Sequence, residues 1–398
     1  MENVQSPMQR PENVPPQFRD SVLRQPVGII GGGLMGTAIA ATHLKNACRV
    51  ILCEQSEVVL AALPQKITAE LALQGEKNTV ERVQDWLVLT QNPDDLVPCE
   101  IVIETIPERI RPKQKLYQTL ETFGFRGRLF SNTSTIEVSK LSEHYSAADR
   151  FCGFHFFHPV RNRSLLEIVR GRHTSDETIQ AAQEHARRLD KTPLVVGDRP
   201  GFLVNRLLNP LLREALAMLD EGVPLRKIEK AAVLFGMPMG PVRIMDEIGL
   251  DVTLHAGWVL NKAFPERAYH SPILLKLIDQ GRLGRKTGLG FLRYPSDISW
   301  EQEGEYDETL SQFLPPENDR LTNETITERL FLPMFCEALR AIGEGVVKHD
   351  WEADIAAVLG IGFPKDRGGP LAWGKSLGLP NVSRMLQKLE KEYGPRFA

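Results

Sequence analysis

The segment NRLLNPLLREALAMLDEGV, beginning at Asn205, returns as ERLFLPMFCEALRAIGEGV, beginning at Glu328. Arg206, Leu207, Pro210, Glu214, Ala215, Leu216, Glu221, Gly222 and Val223 all reappear at one constant offset. Two unrelated amphipathic helices would share apolar spacing, but not proline, glycine and glutamate in register. The tracts that follow, LFGMPMGP and LGIGFPKDRGGP, repeat a Gly, a Pro and a Gly-Pro with small insertions. The chain therefore carries a duplicated helical domain, whose two copies are expected to bury their apolar faces against each other.

Upstream the pattern changes. From 25 to 198, short apolar runs (PVGII, RVILCE, EIVIETI, GRLFSN, FCGFHFF, LLEIV, TPLVVG) alternate with amphipathic stretches at 35–46, 57–75, 110–123 and 177–190. Such alternation indicates a mainly parallel sheet with helices on both faces. After Pro200 the strand pattern stops, and helical pattern fills 201–290. A polar, acidic stretch at 296–325 reads as a linker, and helical pattern resumes to the end. The first 24 residues, rich in Pro, Gln and Asn, read as a disordered tail.

A net charge of −3 argues against a nucleic-acid partner, which demands a concentrated basic surface. No apolar run approaches the roughly 18 residues of a membrane span, and the N-terminus lacks the apolar core of a signal peptide. Glu2, Glu12 and Asp20 suit a transit peptide poorly, and the closing RFA is not a peroxisomal address. The five cysteines are scattered without metal-ligand spacing, so no metal is expected, and their odd count suits a reducing compartment. A cytoplasmic protein is the default expectation.

PVGIIGGGLMGTAIAATHL sets Gly31, Gly33 and Gly36 in the spacing G-x-G-x-x-G between a strand pattern and a helix pattern. Gly31 permits the tight turn, Gly33 lets a pyrophosphate approach the backbone, and Gly36 lets the helix pack close to the sheet. Leu34 and Met35 open the helix, where free N–H groups face the anion. The next strand, RVILCE, ends in Glu54, placed to accept hydrogen bonds from an adenine-ribose diol. The same carboxylate repels a 2′-phosphate and so favours NAD over NADP. A structural glycine turn and an exposed strand-end charge are the plainer alternatives. The expected fold is thus an α/β Rossmann-type dinucleotide-binding domain (25–198), followed by two tandem, duplicated all-α domains (199–295 and 326–398).

A nicotinamide cofactor implies hydride transfer, and oxidising an alcohol also needs a base for the hydroxyl proton. FCGFHFFHPVRNRSLLEIV, residues 151–169, holds His155, His158 and Glu167 in an otherwise apolar double-strand pattern. If 151–157 and 164–169 pair as an antiparallel hairpin, His155 and Glu167 stand symmetric about 161 and face each other. A carboxylate on one imidazole nitrogen fixes the tautomer and stabilises the imidazolium. A core histidine beside an unrelated glutamate is the competing reading.

At this point the sequence resembles the L-3-hydroxyacyl-CoA dehydrogenases, in order along the chain, through GIIGGGLMGTAIA, EIVIETIPERIRPKQKLY, SNTSTI, HFFHPV, LLEIV, RPGFLVNRLL, PMGPVRIMDEIGLD and GRKTGLGF. The resemblance implies that His155 is the catalytic base and Glu167 its partner. It implies that Ser134 and Asn205 hold the substrate's 3-oxygen, and that Glu108, Lys113 and Lys286 contact the cofactor. A helix N-cap (Ser134), a helix-surface residue (Asn205) and solvated lysines are the bland alternatives. The tandem copies, and GIGFPKDRGGPLAW in particular, resemble the dehydrogenase half of multifunctional fatty-acid oxidation proteins. The hydratase half has no expected counterpart here, which leaves room for association with a separate enoyl-CoA hydratase or thiolase. Glu328 stands where the first copy has Asn205, so the second copy is expected to be an internal mock partner rather than a second site.

Two departures from the family stand out. His158 replaces the usual Asn near the cofactor, and RNRSLLE, with Arg161 and Arg163, is unusually basic. The expected reaction is oxidation of a (S)-3-hydroxyacyl-CoA by NAD. Its rivals are a reductive or biosynthetic dehydrogenase on acyl-carrier-protein or short polyketide-like thioesters, and a catalytically silent NAD-binding protein.

Overall fold

Eight short strands join in one sheet of order β3-β2-β1-β4-β5-β6-β7-β8. They are β1 (Val27–Ile30), β2 (Val50–Cys53), β3 (Leu87–Thr90), β4 (Ile101–Glu104), β5 (Arg128–Ser131), β6 (Phe151–Phe156), β7 (Leu165–Arg170) and β8 (Thr192–Gly197). All neighbours run parallel except β6 and β7, which form the expected antiparallel hairpin. Helices α1 (Leu34–Lys45), α2 (Glu57–Leu73), α3 (Thr79–Trp86), α4 (Ile110–Thr122), α5 (Val138–Leu141) and α6 (Asp176–Arg188) connect them. The computed structural model describes residues 25–77, 79–295 and 304–397; the tail expected at 1–24 lies outside them. Strand β3 and helix α3 escaped the sequence reading. β3 is an edge strand that pairs on one side with β2, and its residues are half-buried or exposed, so it lacks a core-strand pattern.

The two-residue period of a strand decides which face each side chain joins. On β6, Cys152, Phe154 and Phe156 enter the core beneath α1 and α2, as do Leu166 and Ile168 of β7. Phe151, Leu165 and Val169 enter the other core, which is continuous with the helical copies. His155 and Glu167 alternate with the first set and therefore lie on the face turned toward the helical copies. A buried pair ties α1 to α6: His43 Nε2 is 2.9 Å from His185 Nε2. His43 Nδ1 must donate to the Ile39 carbonyl (2.7 Å), so His185 Nε2 supplies the proton between them. Burial pushes both rings below their ordinary pKa, His43 to about 4, which keeps the pair neutral.

The first helical copy comprises α7 (Val204–Asp220), α8 (Leu225–Phe235), α9 (Pro241–Ile248), α10 (Leu250–Ala263) and α11 (Pro272–Asp279). The second comprises α12 (Asn323–Gly343), α13 (Asp350–Ala356), α14 (Pro370–Ser376) and α15 (Leu379–Tyr393). Repeated residues meet across the interface in a reciprocal way. Arg206 pairs with Glu337 (2.6 Å) and Glu344 (2.8 Å), while its counterpart Arg329 pairs with Glu214 (3.3 Å) and Glu221. Each arginine near the start of one long helix thus reaches the glutamates of the other, so α7 and α12 pack antiparallel about a pseudo-twofold axis. Both arginines are essentially fully buried. Unpaired, such charges would be prohibitively costly to desolvate.

The stretch expected as a linker, 296–325, is partly built into the fold, although 296–303 lies outside the described residues. β10 (Glu305–Tyr306) pairs with β9 (Leu292–Arg293), so strands do not end at Pro200. Asp307 takes 2.8 Å contacts from Arg282 and Arg293, and Leu310 is buried. Helix α12 starts at Asn323, capped by the Thr322 hydroxyl, which accepts the Thr325 N–H. A segment held by one buried carboxylate carries no hydropathy period, which is why it read as a linker.

Candidate active site

The strand order reverses between β2-β1 and β4-β5, and ligands of open α/β sheets bind at the carboxyl ends beside such a switch. The glycine turn lies there. Gly31 has φ +103°, and Thr105, just past β4, donates to the carbonyls of Ile30 (2.9 Å) and Gly31 (3.0 Å). A methyl group built on Gly36 would sit 1.9 Å from the Gly31 carbonyl, whereas one on Gly33 meets nothing within 4 Å. The first glycine contact closes the turn on the helix, and the second leaves open room where a pyrophosphate would lie. Leu34 is exposed at the same edge and Met35 half-buried. These features fit a dinucleotide.

Glu54 closes the turn from the side. Its Oε2 accepts the Gly32 N–H (2.7 Å) and its Oε1 the Ser56 N–H (2.9 Å). The carboxylate is thereby fixed at the end of β2, at the place where a ribose diol or a 2′-phosphate would arrive. Glu54→Ser should raise NADP use relative to NAD, because it removes the repulsion of the 2′-phosphate. The ratio of kcat/KM values for the two cofactors measures this; a wild-type preference for NADP would overturn the reading of Glu54.

Glu108 and Lys113 sit in a buried ionic chain. Lys113 Nζ is 2.6 Å from Glu104 Oε1 and 3.4 Å from Glu108 Oε2, and its side chain is 1% exposed. Glu104 also accepts the hydroxyls of Tyr117 and Ser131, each at 2.7 Å. Glu108 Oε1 accepts the N–H groups of Ser134 and Thr135 (2.9 Å each) and the Thr133 hydroxyl (2.6 Å). Burial pushes its carboxyl pKa up, but Lys113 and these donors more than offset that and hold it below the usual range. Both residues therefore shape the loop that carries Ser134. Thr105 went unnoticed in the sequence because its partners lie 74 and 75 residues away, and Glu104 because its partners meet only once β4, α4 and β5 pack together.

The Asn205 amide, on the first turn of α7, donates to the Ser134 backbone carbonyl (3.0 Å), which brings these two residues together. Ser134 precedes α5 by several residues, so it is not that helix's cap. Asn132 Oδ1 accepts the Phe156 N–H (2.9 Å) and so ties this loop to the end of β6.

His155 and Glu167 are direct register partners in the hairpin. His155 Nδ1 is 2.8 Å from Glu167 Oε2. The other carboxylate oxygen accepts the N–H groups of Leu203 (3.1 Å) and Val204 (2.9 Å), where α7 begins. A helix N-terminus favours negative charge, so the completely buried Glu167 is held as the acceptor of the pair. The approach to α7 is bent to make this possible: buried Phe202 has φ +51°, a strained value for a bulky residue, and its ring lies 5.8 Å from that of His155. The Leu203 and Val204 amides were not foreseen, since backbone donors have no sequence signature.

Two further residues carry expected cofactor roles. His158 is exposed beyond the end of β6; partial desolvation of its ring, with Arg161 and Arg163 nearby, holds it below the ordinary histidine value. Arg161 itself pairs with Glu70 of α2 (3.1 Å). Lys286 belongs to the first helical copy, where it pairs with Asp251. Among the described contacts it is not joined to the glycine turn.

Comparison with known proteins agrees with this geometry. Residues 26–199 match the 3-hydroxyacyl-CoA dehydrogenase NAD binding domain, and residues 201–294 the corresponding C-terminal domain. The glyoxysomal fatty acid beta-oxidation multifunctional protein MFP-a of Brassica napus is 34% identical over 384 residues, 93% of this chain and 53% of that protein. The chain spans about half the length of the curated relatives it matches. The crystal structure of 3-hydroxybutyryl-CoA dehydrogenase from Escherichia coli K12 superposes with a TM-score of 0.78 at 25% identity, covering 94% of this chain and 96% of that one. The (S)-3-hydroxybutyryl-CoA dehydrogenase PaaH1 of Ralstonia eutropha, 33% identical with a TM-score of 0.64, covers 68% of this chain and 99% of its own.

Proposed function

The chain belongs to the 3-hydroxyacyl-CoA dehydrogenase family of NAD-dependent oxidoreductases, and on that premise we propose that it interconverts (S)-3-hydroxyacyl-CoA and 3-oxoacyl-CoA thioesters. The observation that carries the reading is the His155–Glu167 pair, pinned by the first amides of α7. A carboxylate accepts only, so Nδ1 carries the hydrogen and Nε2 is the basic nitrogen. Nε2 takes the 3-hydroxyl proton as C3 becomes a carbonyl. When bound on the glycine turn, NAD supplies the acceptor for the hydrogen and electron pair leaving C3. Glu167 stabilises the imidazolium through this proton transfer, and the reverse reduction returns the same proton. Ser134 and Asn205 orient the 3-oxygen in this reading, which the bond from the Asn205 amide to the Ser134 carbonyl supports.

The test is NADH absorbance with acetoacetyl-CoA, repeated over acyl chain lengths and on carrier-protein thioesters. Turnover on the CoA thioester is expected. NADH binding without turnover would favour a silent protein, and preference for the carrier-protein thioester would favour the biosynthetic reading. Since a 3-hydroxyl arises by hydration of an enoyl thioester and a 3-oxoacyl group is cleaved by a thiolase, separate enzymes of those classes are the natural functional partners. The chain's cytoplasmic location is likewise part of this proposal. Among the described residues no helix is long and apolar enough to cross a membrane.

His158 takes the place of the family's Asn in this reading, offering one ring N–H and one acceptor. His158→Asn should keep at least about a tenth of the activity, within the ~1.4 kcal/mol expected for one imperfectly replaced polar contact. The acidic limb of its kcat/KM profile should persist. A dead variant, or one without that limb, would exchange the roles of the two histidines.

A further inference from the structure

The two helical copies differ by one residue at a telling place. AAVLFG, 231–236, closes α8, and AAVLGIG, 356–362, stands at the equivalent position of the second copy. Both end on a left-handed glycine, Gly236 with φ +111° and Gly362 with φ +88°. These glycines are true counterparts, because a methyl group on Gly236 would lie 2.9 Å from Pro364 and one on Gly362 2.9 Å from Pro238. Between matching ends, the second copy must house an extra residue. It widens its last turn to do so: Ala357–Ile361 is π-helical, whereas α8 runs as α-helix to Phe235. Such single-turn π segments recur at functional sites.

The widened turn brings Gly360 against the support of the His155–Glu167 pair. A methyl group on Gly360 would lie 2.9 and 3.0 Å from the two γ-carbons of Val204, and 3.1 Å from Leu165 Cδ2. Val204 supplies one of the N–H groups that hold Glu167. Leu165 lies two residues before Glu167 on β7 and so shares its face. The contact therefore bears on both the strand that carries Glu167 and the helix start that holds it. A second tie lies just ahead of α7, where the Gly197 N–H donates to the Val346 carbonyl of the second copy (2.7 Å).

We propose that Gly360 is a positioning residue for the dehydrogenase reaction. The π turn of the second copy seats the first turn of α7, and that turn's amides in turn hold Glu167 in line with His155. The inserted residue makes the second copy part of the catalytic apparatus while contributing no group to the reacting atoms. The proposal rests on the proposed function for the meaning of turnover, but its structural part can be read without turnover.

The test is Gly360→Ala, whose added methyl forces Val204 or Leu165 to move. Expected are a kcat/KM lower by about tenfold to a hundredfold, as for small misplacements at a reacting centre, and an unchanged KM for NAD. The acidic limb of the kcat/KM profile should be displaced. The downfield proton resonance of the His155 Nδ1–H, which reports its bond to Glu167, should shift. Adding Val204→Ala, which keeps the backbone N–H and restores room, should bring rate, limb and resonance back toward wild type. Because the resonance is read without turnover, failure of His155 as the base would not obscure this result. Wild-type rate, limb and resonance in Gly360→Ala overturn the proposal. So does a loss of rate with an unmoved resonance and no rescue. Should Gly360→Ala not fold, Leu165→Val, which opens space on the other side of the contact, is read on the same resonance; an unmoved signal there also overturns it.

Discussion

His155→Gln should lower kcat by two or more orders of magnitude, with NADH affinity barely changed. General-base catalysis contributes roughly 10²–10⁴-fold, and a glutamine side chain of similar shape has no basic nitrogen to take the hydroxyl proton. The cofactor's expected resting place, the Gly31–Gly36 turn, belongs to β1 and α1, whereas His155 stands on β6. If binding and chemistry are carried by these different strands, the variant should separate them. The substituted amide can still donate to Glu167, which limits collateral damage to the buried carboxylate. NADH titration by fluorescence, alongside steady-state turnover, measures both quantities. A variant with near-normal turnover removes His155 as the base, and weakened NADH binding of similar size shows a disturbed fold instead.

Removing the second helical copy, residues 323 onward, should abolish the soluble monomer. Arg206 would lose Glu337 and Glu344, and Glu214 would lose Arg329 and Arg396. Stripping one partner from a buried ion pair typically costs ~3–5 kcal/mol, because an uncompensated charge stays behind. The apolar losses add to this. Phe235 is stacked on Phe331 at 3.7 Å and packs edge-on against Phe363 and Trp373, all on the second copy. The bared face would be a contiguous apolar patch studded with unpaired charge, a surface that aggregates or finds a second copy of itself. Size-exclusion chromatography with light scattering should show aggregate or a dimer. A soluble, fully active truncated monomer refutes the second copy as an internal partner.

Sequence patterns with local causes carried much of this reading. The glycine turn was legible because its three positions depend on backbone freedom and close approach within a few residues. The His155–Glu167 pairing was legible because hairpin strands return on themselves, so residues symmetric about a turn meet. The duplicated copies were legible from register alone, without knowledge of their packing. Lys113 illustrates the opposite case. The resemblance implied a cofactor contact for it, while its burial beside Glu104 and Glu108 depends on β4 and α4 folding together and was not legible.

By itself, then, the chain's order of residues determined most element types, the glycine turn, the His155–Glu167 hairpin and the existence of two equivalent helical units. Each follows from side-chain period or backbone freedom, which act over a few residues. Only the tertiary structure decided that Arg206 meets Glu337 and Arg329 meets Glu214, since equivalent residues in a repeat pair equally well on paper within or between copies. It alone decided that the start of α7 donates its amides to Glu167, and that Gly360 faces Val204 of that same turn with no room for a methyl group. Backbone donors carry no side-chain signature, and a contact spanning more than a hundred residues is set by the path of the chain rather than by any local preference.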